Sequence, residues 1–496
     1  MRGRGRIAMM TGVVALACAT SGRAQTVTAP AAPKPPAPAA ASTTWFARDW
    51  TRVESWHFFE PVPGPTAGKP DYTFVANRLH AGVRHIAPTF EFTGALQYVQ
   101  FGGLPTNAIG PGALGTGGLY YDHSHDTSSH QVYLKTLQLR LKPAAGVSIA
   151  LGRMPYASGA EMASGVAPIE AVKRQRLDSR LVGEFEWSIY QRAYDGVRLD
   201  VDRAGWHATA GGFFPTQGGF EESANVTMRG VSVLTAMVGV KPSRLGKHTE
   251  LQGFAYHYRD TRTVHARPDN LGLAASRVPA VDVSILTFGG SMVGVYPAGK
   301  GEVDTLLWVA GQTGTWFERD HHGSSYATEA GYRWPKATWQ PWLRAGLNYS
   351  SGDRTAGGNR HDTFFPVLPT GRKYSLSATY AHMNLRDLFA QAFLKPHPKV
   401  SARVDLHRLD LAQATDRWYS GSGATQSVGT FFGYAGRPSR GATGLGTMIE
   451  GSSDVTLTKR WSVNGYLGRM AGGDVVKRNF AGSRLVFFYV ESVIGF

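Results

Sequence analysis

Segments of about ten residues that alternate apolar and polar side chains, each closed by turn residues, recur along almost the whole chain, and they constrain the fold more than any other feature. Trp339 to Tyr349 is the clearest. One face reads Trp339, Pro341, Leu343, Ala345, Leu347, Tyr349, and the other reads Gln340, Trp342, Arg344, Gly346, Asn348. Val197, Leu199 and Val201 likewise share a face opposite Arg198 and Asp200, and Ala402, Val404 and Leu406 oppose Arg403, Asp405 and His407. A period of two places successive side chains on opposite faces of a strand. Outside the N-terminus no apolar run approaches the roughly 18 residues that a membrane-spanning helix needs.

Alternation alone also fits a soluble β-sandwich, and two observations separate the readings. The final segment, Leu485 to Phe496, carries Phe488, Val490, Ser492, Ile494 and Phe496 on one nearly apolar face and stops at a phenylalanine. This resembles the signal by which bacterial outer-membrane barrels are recognised for insertion, whereas a soluble terminus more often frays. Connection lengths also alternate. Short turns such as Asp202-Arg203-Ala204-Gly205 and Pro396-His397-Pro398 are interleaved with long loops near 102–130, 154–192, 214–230, 260–281, 350–372, 412–446 and 471–484. Tight periplasmic turns and extended extracellular loops give a transmembrane barrel that alternation. The final strand must descend, so the strand near 73–84 descends too, and Trp45 to Phe59 is the ascending strand before it. The expected fold is all-β: a transmembrane antiparallel β-barrel of about 18 strands.

The start of the chain fits export. Arg2, Arg4 and Arg6 precede an apolar stretch from Ile7 to Ala19, and small residues surround Gly22-Arg23-Ala24. That order marks residues 1–24 as a secretory leader. Residues 25–44 form a Pro/Ala-rich periplasmic tether, and 45–496 the barrel. Cys18 is the only cysteine and lies in the leader, which excludes disulfides and thiolate chemistry from the mature chain. The formal charge is +16, of which Arg2, Arg4, Arg6 and Arg23 belong to the leader. A basic chain attracts polyanions. In an exported protein the fitting partners are an anionic polysaccharide or oligosaccharide and the anionic lipid and lipopolysaccharide surface, with periplasmic polysaccharide-export proteins as further partners, and not nucleic acid.

Charges midway along strands assign the faces. An arginine facing hydrocarbon near the midplane costs about 2–4 kcal/mol, so Arg84, Arg140, Arg198, Arg344 and Arg403 are expected in the lumen. Basic residues outnumber acidic ones on that face, with Asp200, Asp405, Glu329 and Asp454 interrupting them. A row of guanidinium forks suits carboxylates and can pass a polyanion along; the competing reading is that pairs such as Arg198 with Asp200 only brace the wall.

Other constellations carry less. Asp122-His123-Ser124-His125-Asp126 with His130, and His321-His322, have metal-ligand residue types but no spacing that fixes a geometry, so a solvated loop is expected and no metal or cofactor is assigned. Lys173-Arg174-Gln175-Arg176 reads as a solvated basic face or a lipopolysaccharide contact. No nucleophile elbow, phosphate loop or dinucleotide fingerprint is present, and no carboxylate pair is singled out for acid–base work, so no enzyme is expected.

The run Ala150-Leu151-Gly152-Arg153-Met154-Pro155-Tyr156, then Asp178-Ser179-Arg180-Leu181-Val182-Gly183, Trp187 and Gln191-Arg192-Ala193-Tyr194-Asp195-Gly196-Val197-Arg198-Leu199, resembles the alginate-export porin family. Leu409-Asp410-Leu411-Ala412 with Asp416-Arg417-Trp418-Tyr419, and Gly473-Asp474-Val475-Val476 with the closing strand, resemble two further family signatures. The resemblance implies an 18-stranded barrel of the Gram-negative outer membrane that passes a uronate-rich polymer through an arginine-lined constriction. Carried over residue by residue, Arg153, Arg180, Arg192, Asp195 and Arg198 line it, joined by Asp200, Arg344, Arg403, Arg84 and Arg140 from the face assignment. The expected function is passive conduction of an anionic, alginate-like saccharide. The alternatives are a general porin for small organic anions or oligosaccharides and, less favoured, an outer-membrane enzyme acting on saccharides.

Overall fold

A computed structural model describes residues 41–65, 67–220, 223–274 and 277–496; residues 1–24, expected to be a leader, and most of the expected tether 25–44 lie outside the described residues. The first half of the wall comprises β1 (Ser42–His57), β2 (Asp71–Ile86), β3 (Phe90–Gly102), β4 (His130–Ala144), β5 (Val147–Met154), β6 (Tyr194–Asp202), β7 (Trp206–Pro215), β8 (Val231–Val240) and β9 (Thr249–Asp260). The second half comprises β10 (Val283–Ala298), β11 (Gly301–Trp316), β12 (Ser324–Arg333), β13 (Trp342–Ser350), β14 (Leu385–His397), β15 (Val400–Leu411), β16 (Gly444–Thr456), β17 (Trp461–Gly472) and β18 (Arg484–Gly495). Each pairs antiparallel with the next, and β18 pairs with β1 from Arg48↔Gly495 to His57↔Val486, so the sheet closes as an 18-stranded barrel. Closure removes both open edges, each of which would leave unpaired amides in hydrocarbon.

Short and long connections alternate as the sequence implied. Two-residue turns such as Ala145-Gly146 depend on glycine: Gly146 has φ 65°, and a Cβ there would meet the Asp202 carbonyl oxygen at 2.2 Å. Two expectations need correction. Trp339 and Gln340 are not strand residues; both have positive φ in the turn 334–341, and the strand starts at Trp342. The loop placed near 350–372 runs on to residue 384. The alternation itself holds: Leu343 is exposed while Trp342, Arg344 and Asn348 are buried, and the exposed Phe488 and Val490 oppose the buried Phe487, Tyr489 and Glu491. Exposed Trp45, Trp206, Tyr296, Trp461 and Phe496 sit at the periplasmic ends of strands and Trp339 in a periplasmic turn, the aromatic girdle expected at a membrane interface.

Unlike an empty cylinder, the barrel is packed inside by its own extracellular connections. The connection 155–193 contains α1 (Ala167–Arg176), which opens with Pro168 and Glu170 and closes with Lys173, Arg174 and Arg176. Those charges match the helix dipole, and proline suits the first turn. Connections 351–384 and 412–443 also turn inward, the latter as an antiparallel ribbon of Arg417–Gly421 with Tyr434–Pro438. Val182, Leu368, Phe365 and Tyr434 join wall residues such as Trp316 in one apolar cluster.

Candidate permeation pathway

The inner wall and the inward loops meet at mid-depth through buried ion pairs. Glu329 on β12 is the hub. It accepts from Arg176 Nε at 2.8 and 3.0 Å and from Arg344 at 3.0 Å, and it lies 3.7 Å from Arg180. Arg344 also meets Asp304 at 2.9 Å, and Arg180 donates to Asn348 Oδ1. The Arg176 guanidinium lies 4.1 Å from the Phe389 ring centre, and that of Arg180 lies 4.5 Å from Tyr374, so the charges are also held against aromatic faces. On the opposite wall, Arg372 reaches Glu54 at 3.0 Å, and Glu54 shares Arg52 with Glu491 across the β1–β18 seam.

The basic run 173–176 was expected to be solvated. Instead Lys173 and Arg176 are buried, Lys173 pairing with Glu250 at 2.9 Å and Arg176 with Glu329. The wall supplies carboxylates that a linear reading of the loop does not reveal. Among the buried described residues, Asp and Glu outnumber Lys and Arg, so the interior is charge-paired, not uniformly basic.

The candidate residues separate into three groups. Arg153 and Asp195 do not face the lumen. Leu137, Arg153, Asp195 and Phe214 stand opposite one another on four successive strands and share one face, and Leu137 and Phe214 are 47% and 41% exposed on the outer surface. The two charges form a bidentate pair, both contacts 2.7 Å, near the extracellular ends of β5 and β6. Arg192 points inward but is wholly buried, donating to the carbonyls of Leu368, Ser422 and Ala424, so it ties three loops together. Arg180, Arg344 and Arg403 belong to the buried mid-depth zone, Arg403 held by Asp405 at 2.6 Å.

The third group faces an aqueous vestibule toward the periplasmic side. Glu91, Arg140, Ala150 and Arg198 occupy one row across β3 to β6, with Arg84 beside it. The side chains of Arg84, Arg140 and Arg198 keep 22%, 30% and 15% exposure. Arg84 contacts Glu91 at 2.6 Å, with Lys142 3.9 Å from the same carboxylate. Arg198 lies 2.7 Å and Arg140 3.5 Å from Asp200. Four cations thus face two carboxylates.

At the extracellular end, several long connections enclose a cavity of about 200 Å³ walled by Phe185, Trp187, Phe220, Phe432 and Tyr434, with Thr116 and Ser422 as polar members. Residues 122–124, expected in a flexible loop, complete a short helix, Thr116–Ser124, beside it. A histidine clasp lies at the rim. His321 Nδ1 and His361 Nδ1 are 2.9 Å apart, and His361 stacks on Trp316 at 4.3 Å. Burial pushes His321 down to about 3 and His361 well below the usual histidine range. A depressed folded-state value means that the unfolded segment binds more protons, so the clasp is fully stable above about pH 6.5 and weakens as pH falls toward 3. Amide protection factors in 317–323 and 359–364, with the intrinsic pH dependence of exchange divided out, should therefore fall from pH 7 to pH 4 while the wall strands stay protected. Unchanged protection factors in both segments would refute the clasp.

Comparison with known proteins agrees with this architecture. The alginate-export family matches residues 171–484. Solved structures of the same fold include Pseudomonas aeruginosa OccK2 (OpdF) in complex with glucuronate, at 10% identity, TM-score 0.54, covering 91% of this chain and 96% of that one. They also include a BenF-like porin from Pseudomonas fluorescens Pf-5, at 9% identity, TM-score 0.54, covering 92% and 99%. Acinetobacter baumannii OccAB1 matches at 8% identity, TM-score 0.55, covering 91% and 96%. No curated protein matches the chain. With the family spanning most of a closed 18-stranded wall, this chain belongs to the alginate-export family and is an outer-membrane porin.

Proposed function

We propose that the barrel conducts anionic saccharides of the uronate class by passive, electrostatically guided transport. The observation that carries this reading is the vestibule. Arg84, Arg140, Lys142 and Arg198 retain solvent exposure there against only Glu91 and Asp200, whereas the mid-depth charges are buried and mutually neutralised. Partly exposed guanidinium groups in a water-filled channel with low-dielectric walls raise the local concentration of carboxylates without holding any one unit tightly. Membership of the alginate-export family supports the substrate class, and the glucuronate complex of a structural neighbour is consistent with it.

Planar-bilayer recordings on the purified protein test the proposal. Reversal potentials should show anion preference at low salt, reduced in Arg140→Ala and Arg198→Ala. Arg153→Ala is the control: its side chain lies on the outer face, so selectivity should stay at the parent value. Cation selectivity persisting at low salt would end the proposal. A second reading, a channel for small organic anions, is favoured by the 200 Å³ aromatic-walled cavity, which is the size of a single ring and not of a chain segment. Under that reading monomeric uronate blocks the current as well as an oligomer does; under the first, the oligomer blocks at lower concentration.

A further inference from the structure

We propose that the lumen wall carries a divalent-cation site formed by Asp405, His407 and Glu450, suited to a transition-metal ion of the zinc type. Asp405 and His407 are alternate inward residues of β15, and Glu450 on β16 stands directly opposite Asp405. One oxygen of each carboxylate and one ring nitrogen of His407 lie within 4.8 Å of one another, and all three residues are buried. The ring is already oriented. His407 Nδ1 donates to Asp387 Oδ1 on β14 at 2.8 Å, which leaves Nε2 as the ring nitrogen available to a metal once any proton there is displaced. Nε2 has no hydrogen-bond partner and the side chain is 1% exposed; Asp405 Oδ1 is likewise unpartnered.

A buried ring nitrogen and a buried carboxylate oxygen that both lack partners are costly, and a cation that displaces any proton on Nε2 would satisfy both. A carboxylate behind the distal nitrogen is the usual support of a metal-bound histidine, fixing its tautomer and raising its basicity. One nitrogen and two carboxylate oxygens suit zinc, cobalt or nickel, whereas calcium and magnesium take oxygen ligands. Bonds of about 2.0–2.2 Å would draw the three atoms together by side-chain rotation and leave a fourth position for a further ligand. Asp405 and Glu450 supply two negative charges against Arg403, which already holds the other oxygen of Asp405 at 2.6 Å. The site also touches the inward loop 351–384, because Glu450 accepts from Ser375 Oγ and, at 3.0 Å, from the Leu376 amide. A bound ion therefore shares a ligand with the loop that fills this side of the lumen.

The test uses the full-length barrel, purified in detergent and stripped with chelator, titrated with Zn²⁺ by calorimetry and with Co²⁺ by visible absorption. One ion per chain should bind, and His407→Gln and Asp405→Asn should each weaken it at least tenfold. Asp387→Asn should weaken it about 10- to 100-fold through lost orientation of the ring. X-ray absorption of the zinc-loaded parent, which needs no variant to fold, should report one histidine nitrogen among oxygen ligands. No binding by the parent overturns the proposal. So does binding that survives in a folded His407→Gln protein, or that is lost instead on replacing His123 and His125, since the ion would then sit at the extracellular histidine segment.

Discussion

Glu329→Gln should release α1 from the lumen wall while the barrel remains folded. The carboxylate is the common partner of Arg176 and Arg344 and lies near Arg180, all four side chains being buried. Removing one member of a buried ionic cluster strands the others without compensation, which typically costs about 3–5 kcal/mol. The wall does not need that energy, because its ladder is continuous through all 18 strands. The cost falls on the interface between helix and wall. Single-channel conductance should rise, anion preference should strengthen because a negative charge has gone, and protease should reach the bonds after Lys173 and Arg174. Removing Arg176 and Glu329 together in favour of apolar residues should recover much of the lost stability. Parent conductance and parent protease resistance in Glu329→Gln would show that the helix is anchored elsewhere.

The second large effect tests the faces of a single strand. Leu199 is exposed on the outer surface between Ile149 and Ala210, and its neighbour Arg198 points inward onto Asp200. Leu199→Arg should impair assembly by about 2–4 kcal/mol if the position lies near the bilayer midplane. Arg198→Ala removes no lipid contact and should leave heat-modifiable folding intact. A one-residue register shift would exchange these two outcomes, so the pair reports the orientation of β6 directly. Normal assembly of Leu199→Arg combined with misfolding of Arg198→Ala would invert the assignment.

The wall was largely legible in the sequence because its signals are local. Period-two alternation, turn residues and the parity of connections each act over a dozen residues, and they give the strand total and the facing of Val197, Arg198, Leu199 and Asp200. The lumen was much less legible. Arg176 and Glu329 are 153 positions apart, and nothing in Lys173-Arg174-Gln175-Arg176 says that a carboxylate awaits it across a barrel. Only the helix could have been anticipated, from Pro168 and Glu170 at one end and the basic residues at the other. Arg153 and Asp195 are a different case. Asp195 has the parity of Val197 and Leu199, so alternation alone places it outside; the family motif grouped it with Arg198 because motifs follow sequence proximity, whereas faces follow period. His407, passed over as one member of an alternating row, becomes chemically interesting only when β14 and β16 supply Asp387 and Glu450 beside it.

The β1–β18 seam has a kinetic consequence. Every other pairing between wall strands joins neighbours in the sequence, but the Arg52–Glu491 contact spans 439 positions. Loop-closure entropy grows only logarithmically with length, so this separation adds little to the thermodynamic cost. Its effect falls on the order of events. Hairpins can form as soon as their residues are available, while the last ladder is the one non-local wall pairing and waits for both ends of the wall, which makes closure the slow final step. Until then β1 and β18 are open edges able to pair with another chain. The Glu491–Arg52–Glu54–Arg372 relay, built from both edges and an extracellular loop, is complete only after the correct edges have met, so it distinguishes self-closure from pairing with a neighbour.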